Sequence, residues 1–233
     1  MAQLSEEAAE VVLIRHGETA WNAERRLQGQ WASDQMPGGP GLNDRGRAQA
    51  ALLARLARAG RLGRIDAVYS SDLARALETA GPLAAALGRP VQGRPEFRER
   101  HLGAVQGLTL AEARATVPEA YARMCAGAAV PGGGESGVEV RARMRRGVAR
   151  LAEAHPGGRV AVVSHGGAIA ALHEAVAGEP CRERILNLAL STVHVDAARD
   201  RWVAGQFGDV AHLDEAGGVA VARHGFGGDA QSG

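Results

Sequence analysis

The sequence predicts an α/β fold, a three-layer sandwich with a mainly parallel central sheet, and three observations carry that expectation. Residues 11–14 and 160–163 are uninterrupted apolar runs rich in valine and isoleucine, which suits strands buried on both faces in the middle of a parallel sheet. Strand-like and helix-like stretches alternate along the chain, as helices covering both faces of such a sheet require. Both apolar runs stop at a histidine followed by glycine, as Arg15-His16-Gly17 and Ser164-His165-Gly166-Gly167, and ligands of open α/β sheets bind at the carboxyl ends of the strands.

Taken in order, the first strand delivers Arg15 and His16. In a regular strand they would point to opposite faces, so one ligand can use both only if the chain turns there, and Gly17 permits the turn. Residues 24–41 are polar and rich in Gly and Pro, a loop at the crevice edge. Asn43 caps a helix running to about Ala59, with Leu52, Leu53 and Leu56 on its inner side. A short strand follows at 65–69. Ser70-Ser71-Asp72 opens the next helix and puts Arg75 in its first turn, and Gly81-Pro82 kinks or restarts that helix before it ends at Leu87-Gly88. Residues 90–98 hold a short strand, followed by Glu99-Arg100-His101-Leu102-Gly103.

Residues 108–130 read as a helical insertion broken at Pro118. Gly132-Gly133-Gly134-Glu135-Ser136 leads into a helix reaching about Ala154, with Ser136 and Glu139 in a capping-box pattern, so this glycine stretch is a loop-to-helix transition rather than a phosphate cradle. After the second apolar run comes a helix over 168–176. Two late strands, 188–195 and 202–207, are joined by a turn at Arg199-Asp200. Residues 1–214 form a single domain, and 215–233 a Gly-rich tail with little to pack. Adjacent strands lie roughly 4.8 Å apart. If the two apolar runs are parallel neighbours, their histidines meet at one edge of the sheet.

Composition narrows the function. The chain has 233 residues and a formal net charge of +1, which argues against a nucleic-acid or membrane-surface protein held by bulk electrostatics. Every basic side chain other than histidine is arginine, so a Walker loop, a Schiff-base lysine and a lysine acid or base are all excluded. The two cysteines, Cys125 and Cys181, lie far apart and indicate neither a disulfide framework nor a metal site. No apolar run approaches membrane-spanning length and the N-terminus lacks a signal-peptide pattern, so a soluble cytoplasmic protein is expected. The expected partner is a small phosphorylated molecule, with no nucleic acid and no membrane, and a homodimer is compatible with the chain. No metal and no cofactor are expected.

Four motifs in order, LIRHGETAWN at 13–22, SSDLARALETA at 70–80, RERHLG at 98–103 and VVSHGG at 162–167, together resemble the histidine phosphatase superfamily, also called phosphoglycerate mutase-like. The resemblance implies a nucleophilic His16, phosphate clamps Arg15 and Arg75, a second histidine His165, and Glu99 as acid. Asn22, Gln28, Gly29 and Gly166 fall where family members touch phosphate or substrate. The chemistry agrees. Phosphoryl transfer is catalysed mostly by positioning and by charge placed on the equatorial oxygens, and arginine's planar fork donates two parallel hydrogen bonds to phosphate. His16 must be unprotonated at the attacking nitrogen, with an acceptor such as the Gly17 carbonyl on the other. The leaving alkoxide needs a proton from a carboxylic acid whose pKa is raised. Glu99 is the candidate, with Glu135 and Glu18 as competitors, and His101 as a supporting residue. His155, His173, His194, His212 and His224 have no catalytic reading.

The reaction is expected to be phosphomonoester hydrolysis through a phosphohistidine, the alternative being a cofactor-dependent phosphoglycerate mutase. ERHLGAVQGL, 99–108, is similar to the corresponding piece of those mutases. The mutases, however, follow it with a lysine and an adjacent arginine pair that bind the acid substrate; here Leu110 stands at the lysine position and Arg114 and Arg123 are isolated. A phosphate-binding module without activity is disfavoured by the complete catalytic set. A dinucleotide binder is disfavoured by the glycine spacing at 166–167.

Overall fold

The structure is a computed structural model that describes residues 4–181 and 185–214. A six-stranded sheet lies at its centre in the order β3-β2-β4-β1-β5-β6. The two apolar runs become β1 (Ala9–Arg15) and β4 (Arg159–Ser164), parallel neighbours in register from Glu10 opposite Arg159 to Arg15 opposite Ser164. β2 (Ala67–Ser70) and β3 (Val91–Gly93) continue the parallel block, while β5 (Leu190–Asp196) and β6 (Arg201–Ala204) add two antiparallel strands beyond β1.

Alternation along the central strands divides the core in two. Val11, Leu13, Val160 and Val162 face one side, where they meet Val140, Met144, Val148 and Leu151 of α6 (Gly137–Ala154) and Ile169 and Leu172 of α7 (Gly166–Ala177). Val12, Ile14, Ala161 and Val163 face the other, against Leu52, Leu53 and Leu56 of α2 (Asp44–Arg58) and Ala76, Ala80 and Leu83 of α3 (Ala74–Leu87). Helices on both faces make the three layers, and the unbroken apolar runs follow from burial on both sides. A third, smaller cluster joins Leu27 and Val105 to Ala113 of α4 (Leu110–Thr116) and Ala120 of α5 (Pro118–Cys125).

Helix ends follow local chemistry where capping side chains exist. Asn43 accepts from the Gly46 N–H, and both Ser136 with Glu139 and Thr109 with Glu112 form capping boxes. Elsewhere the expectations need correction. Four residues after Gly17 form a separate short helix, α1 (Ala20–Ala23). The expected strand at 90–98 is confined to Val91–Gly93, because Arg94 leads into a 3-10 turn at Pro95–Phe97. α3 neither restarts nor stops at Pro82. That proline lies on the exposed stripe of the helix, as does Glu78, whose carbonyl it leaves unbonded, so water can satisfy the group. The insertion is helical only over α4 and α5. α7 begins at Gly166, two residues early. β5 begins at Leu190 because Leu188 takes a left-handed conformation, φ 64°, and β6 stops at Ala204. A final short helix, α8 (Ala211–Asp214), closes the described chain. The expected tail at 215–233, with His224, lies outside the described residues. Among those described, no helix is long and apolar enough to cross a membrane.

Candidate active site

The parallel register of β1 and β4 puts His16 and His165, each one residue past its strand, side by side with ring centroids 5.0 Å apart. The chain leaves β1 under tight constraint. The His16 N–H donates to the Ser164 carbonyl and the Gly17 N–H to Thr79 Oγ1, while a Cβ at Gly17 would stand 2.8 Å from the Gly46 carbonyl oxygen of α2. Any larger residue there would push the turn after β1 off α2. Glycine is required at 17 for close packing rather than for an unusual backbone angle.

His16 Nδ1 lies 2.6 Å from the Gly17 carbonyl oxygen. A carbonyl only accepts, so the proton sits on Nδ1 and the lone pair on Nε2. Burial holds the imidazole well below its ordinary pKa, and the Arg75 and Arg15 cations push it the same way against the Gly17 hydrogen bond. His165 is fully buried and also held well below its ordinary value, by burial and then by Arg75, His16, Arg143 and Arg15. Neither of its ring nitrogens has a partner.

Two guanidiniums share this enclosure. Arg15 donates to the Ile185 carbonyl through Nη1 and keeps a buried Nε without partner; Arg75 donates to the Gly29 carbonyl through Nη2 and keeps Nε and Nη1 without partners. Burial lowers each to about 10 in spite of the attraction of Glu99. Unpaired buried polar groups are costly, and Arg15, Arg75 and His165 present a concentrated set of them around His16, suited to an anion with several acceptor oxygens. Loop 28–39 wraps Arg75: Gly29 takes its Nη2, and the Gly38 carbonyl accepts the Ala74 N–H at the start of α3, which has no side-chain cap of its own.

The remaining expected residues are placed as follows. Glu99 Oε2 accepts from the Gly167 N–H at 3.0 Å and Oε1 from the Arg100 N–H at 2.8 Å, so its carboxylate stands over the start of α7. Gly166 lies beside Arg15, where an added Cβ would meet Arg15 Cδ and Nε at 3.6 Å, an ordinary van der Waals contact. Gln28 is buried and its Oε1 lacks a partner. Asn22 spends its Oδ1 on the Thr19 N–H in the cap of α1, and Gly29 offers its carbonyl to Arg75. The competing acids are occupied. Burial raises the Glu135 pKa, but hydrogen bonds from Arg143 and the His101 N–H outweigh it and leave it below the ordinary value. Glu18 accepts from Asn43 Nδ2 and pairs with Arg45. His101 contributes its backbone N–H to Glu135 and its Nδ1 to the Gly103 N–H. His155 hydrogen-bonds Tyr69 and His173 packs on Phe207. Among the described residues no group of three His, Cys, Asp or Glu side chains could hold a metal ion.

Sequence reasoning missed the second strand of support. Asn187 Nδ2 donates to the His16 carbonyl, the Leu188 N–H to the Arg15 carbonyl, and the Arg15 N–H to the Ala189 carbonyl. These partners lie about 170 residues from the turn after β1. No local signal in the sequence marks them; only the fold shows that Leu188 is a buried leucine with positive φ, a conformation rare for such a residue.

The two buried histidines carry a prediction. The unfolded chain protonates each near 6.5, whereas the folded protein holds both neutral, so stability is complete above that pH and falls as pH drops through it. The loss approaches about 1.4 kcal/mol per histidine for each pH unit below 6.5. Between pH 7.5 and 5.5 the ligand-free protein should lose about 5 °C or more in Tm, and the double variant His16→Asn/His165→Asn should lose clearly less. Equal slopes for the two proteins would show that these histidines are protonated in the fold.

The profile of the histidine phosphatase superfamily (branch 1) matches residues 11–209. The chain is 41% identical to phosphoglycerate mutase-like protein 4 of Arabidopsis thaliana, covering 97% of this chain and 94% of that protein. It is 38% identical to a metal-independent phosphoserine phosphatase of the same plant, covering 98% and 92%. Among solved structures, a mycobacterial glucosyl-3-phosphoglycerate phosphatase superposes with a TM-score of 0.73 at 33% identity, over 86% of this chain and 99% of that one.

Proposed function

The chain belongs to the histidine phosphatase superfamily and is an enzyme with phosphatase action, and from that premise we propose that it hydrolyses a small alkyl phosphomonoester through a phosphohistidine on His16. The observation that carries this reading is the neutral His16, its Nε2 lone pair free, set beside buried Arg15, Arg75 and His165 nitrogens that have no partner. Nε2 attacks phosphorus, the ester oxygen departs as an alkoxide, and Glu99 supplies its proton. Water, giving a proton to the Glu99 carboxylate, then attacks the phosphohistidine, which releases phosphate and restores both the imidazole and the acid. The guanidiniums and His165 hold the equatorial oxygens throughout, which supplies the transition-state charge without a metal. The relatives' names point to phosphoserine and glucosyl-3-phosphoglycerate as the kind of substrate.

The mutase alternative needs cations for the carboxylate of a three-carbon acid. Arg100, the nearest candidate in the chain, spends its guanidinium on the carbonyls of Glu135, Met124 and Ala128. Arg123 is turned to the Ala129 carbonyl, and Arg114 and Leu110 are exposed on α4. Incubation with 3-phosphoglycerate and a trace of 2,3-bisphosphoglycerate should therefore accumulate free phosphate and little 2-phosphoglycerate, before and after exhaustive chelation. Rapid formation of 2-phosphoglycerate without phosphate would reverse the assignment, and loss of phosphate release on chelation would remove the metal-free mechanism.

A further inference from the structure

Glu99 sits on a segment with no regular secondary structure, between the 3-10 turns Pro95–Phe97 and Gly103–Val105. An acid that must meet a leaving oxygen within a few tenths of an ångström cannot be placed by such a segment alone. One side chain outside the assigned machinery addresses it. Arg143 of α6 uses all five of its N–H donors. Nη1 donates to the carbonyls of Glu96 and Arg98 at 3.0 and 2.7 Å, and Nη2 to the carbonyl of Glu99 at 2.9 Å. Nε and Nη2 grip the two oxygens of Glu135 at 2.7 and 2.8 Å.

Glu135 in turn accepts from the His101 N–H at 2.8 Å and from Gln30 Nε2 at 3.1 Å, and the same Gln30 nitrogen donates to the Glu99 carbonyl. The backbone is thus held on both sides of Glu99, by Arg143 at 96, 98 and 99 and by Glu135 at 101. The Arg143 and Glu135 side chains are 12% and 21% exposed, so this charge pair is shielded and its bidentate geometry is worth more than that of an open surface pair. α6 reaches the segment because Gly147, one turn beyond Arg143, has no Cβ; one would stand 2.9 Å from the Phe97 ring.

We propose that the Arg143–Glu135 pair is a positioning clamp for the catalytic acid, fixing the Glu99 backbone so that its carboxyl reaches the leaving-group oxygen. Neither residue touches the reacting atoms. The inference rests on Glu99 being the acid, and its test separates the two claims. An aryl phosphate such as p-nitrophenyl phosphate leaves with little protonation, whereas an alkyl ester such as phosphoserine needs the proton. The kcat/KM for both is measured in Glu99→Gln, Glu135→Gln and Arg143→Lys. Glu135→Gln sets an amide donor against the donors of Arg143, and Arg143→Lys leaves an ammonium that cannot span five acceptors. Each clamp variant should lose about 10-fold on the alkyl ester and no more than about 2-fold on the aryl ester, with Glu99→Gln showing the same selectivity at larger amplitude.

A general packing defect would instead lower both activities together. If Glu99→Gln loses equally on the two esters, the acid assignment falls and the clamp with it. If Glu99→Gln is selective while Glu135→Gln and Arg143→Lys lose equally on both, or lose nothing, the clamp alone is overturned. Glu135→Gln, which keeps the shape of the side chain, decides the matter if Arg143→Lys does not fold.

Discussion

Replacing His16 with alanine should leave no more than about 10⁻⁴ of the wild-type kcat, because the reaction loses its nucleophile and not merely a favourable contact. Rapid quenching of the wild-type enzyme with a labelled phosphomonoester should trap phosphorus on protein in a linkage that survives base and is lost in acid, and His16→Ala should trap none. His165→Ala separates the two histidines. With both ring nitrogens unpartnered beside the Arg75 guanidinium, His165 is placed to steady phosphoryl oxygens rather than to bond phosphorus, so this variant should still acquire label while turning over more slowly. Label persisting in His16→Ala, or vanishing only in His165→Ala, would exchange or remove the proposed roles.

Arg75→Met should lower kcat/KM by about 10³-fold and at the same time leave the ligand-free protein at least as stable as wild type. The guanidinium is 1% exposed, bonds only the Gly29 carbonyl, and has two nitrogens without partners. Replacing such a group with an apolar side chain of similar length removes a desolvation penalty that the free enzyme does not recover. Inorganic phosphate should raise the Tm of the wild-type protein in proportion to its binding and have little effect on the variant, since only a ligand that prefers the folded site stabilises it. Arg75→Lys should recover only a small part of the activity, because an ammonium cannot reproduce the planar fork. A variant that loses stability and activity together, with phosphate stabilisation intact, would assign Arg75 to the fold instead of the phosphate site. The trade between stability and function that this predicts is typical of sites built to receive a charged ligand.

Much of this architecture was legible because it depends on local pattern. The runs at 11–14 and 160–163 suit strands buried on both faces, and their shared ending in His-Gly puts two histidines at one sheet edge if the strands are neighbours. Asn43, Ser136 and Glu139 marked helix starts because a cap needs a hydroxyl or amide oxygen within three residues of the N–H it serves. The errors fell where no side chain closes the local account. α3 starts after Leu73 without a cap because a carbonyl from distant Gly38 meets the Ala74 N–H. It passes through Pro82 because the affected carbonyl lies on the exposed stripe.

The sequence by itself determined the layered α/β plan and the two buried strands at its centre, and it named Arg15, His16, Arg75, Glu99 and His165 for the proposed site, since strand burial and the chemistry of phosphate both leave marks in residue type and spacing. Only the tertiary structure decided which groups hold those five in place. Arg143 is one of several arginines along α6 and looks like any solvated cation; nothing in its neighbourhood of sequence says that it faces the carbonyls of Glu96, Arg98 and Glu99. Asn187 bonds the His16 carbonyl across 171 residues of chain. Arg100 reads as a candidate substrate cation until its guanidinium is seen to close on three carbonyls. The physical reason is common to all three: a backbone carbonyl is the same acceptor at every position, so the sequence records that a donor exists but not which carbonyl the fold brings to it.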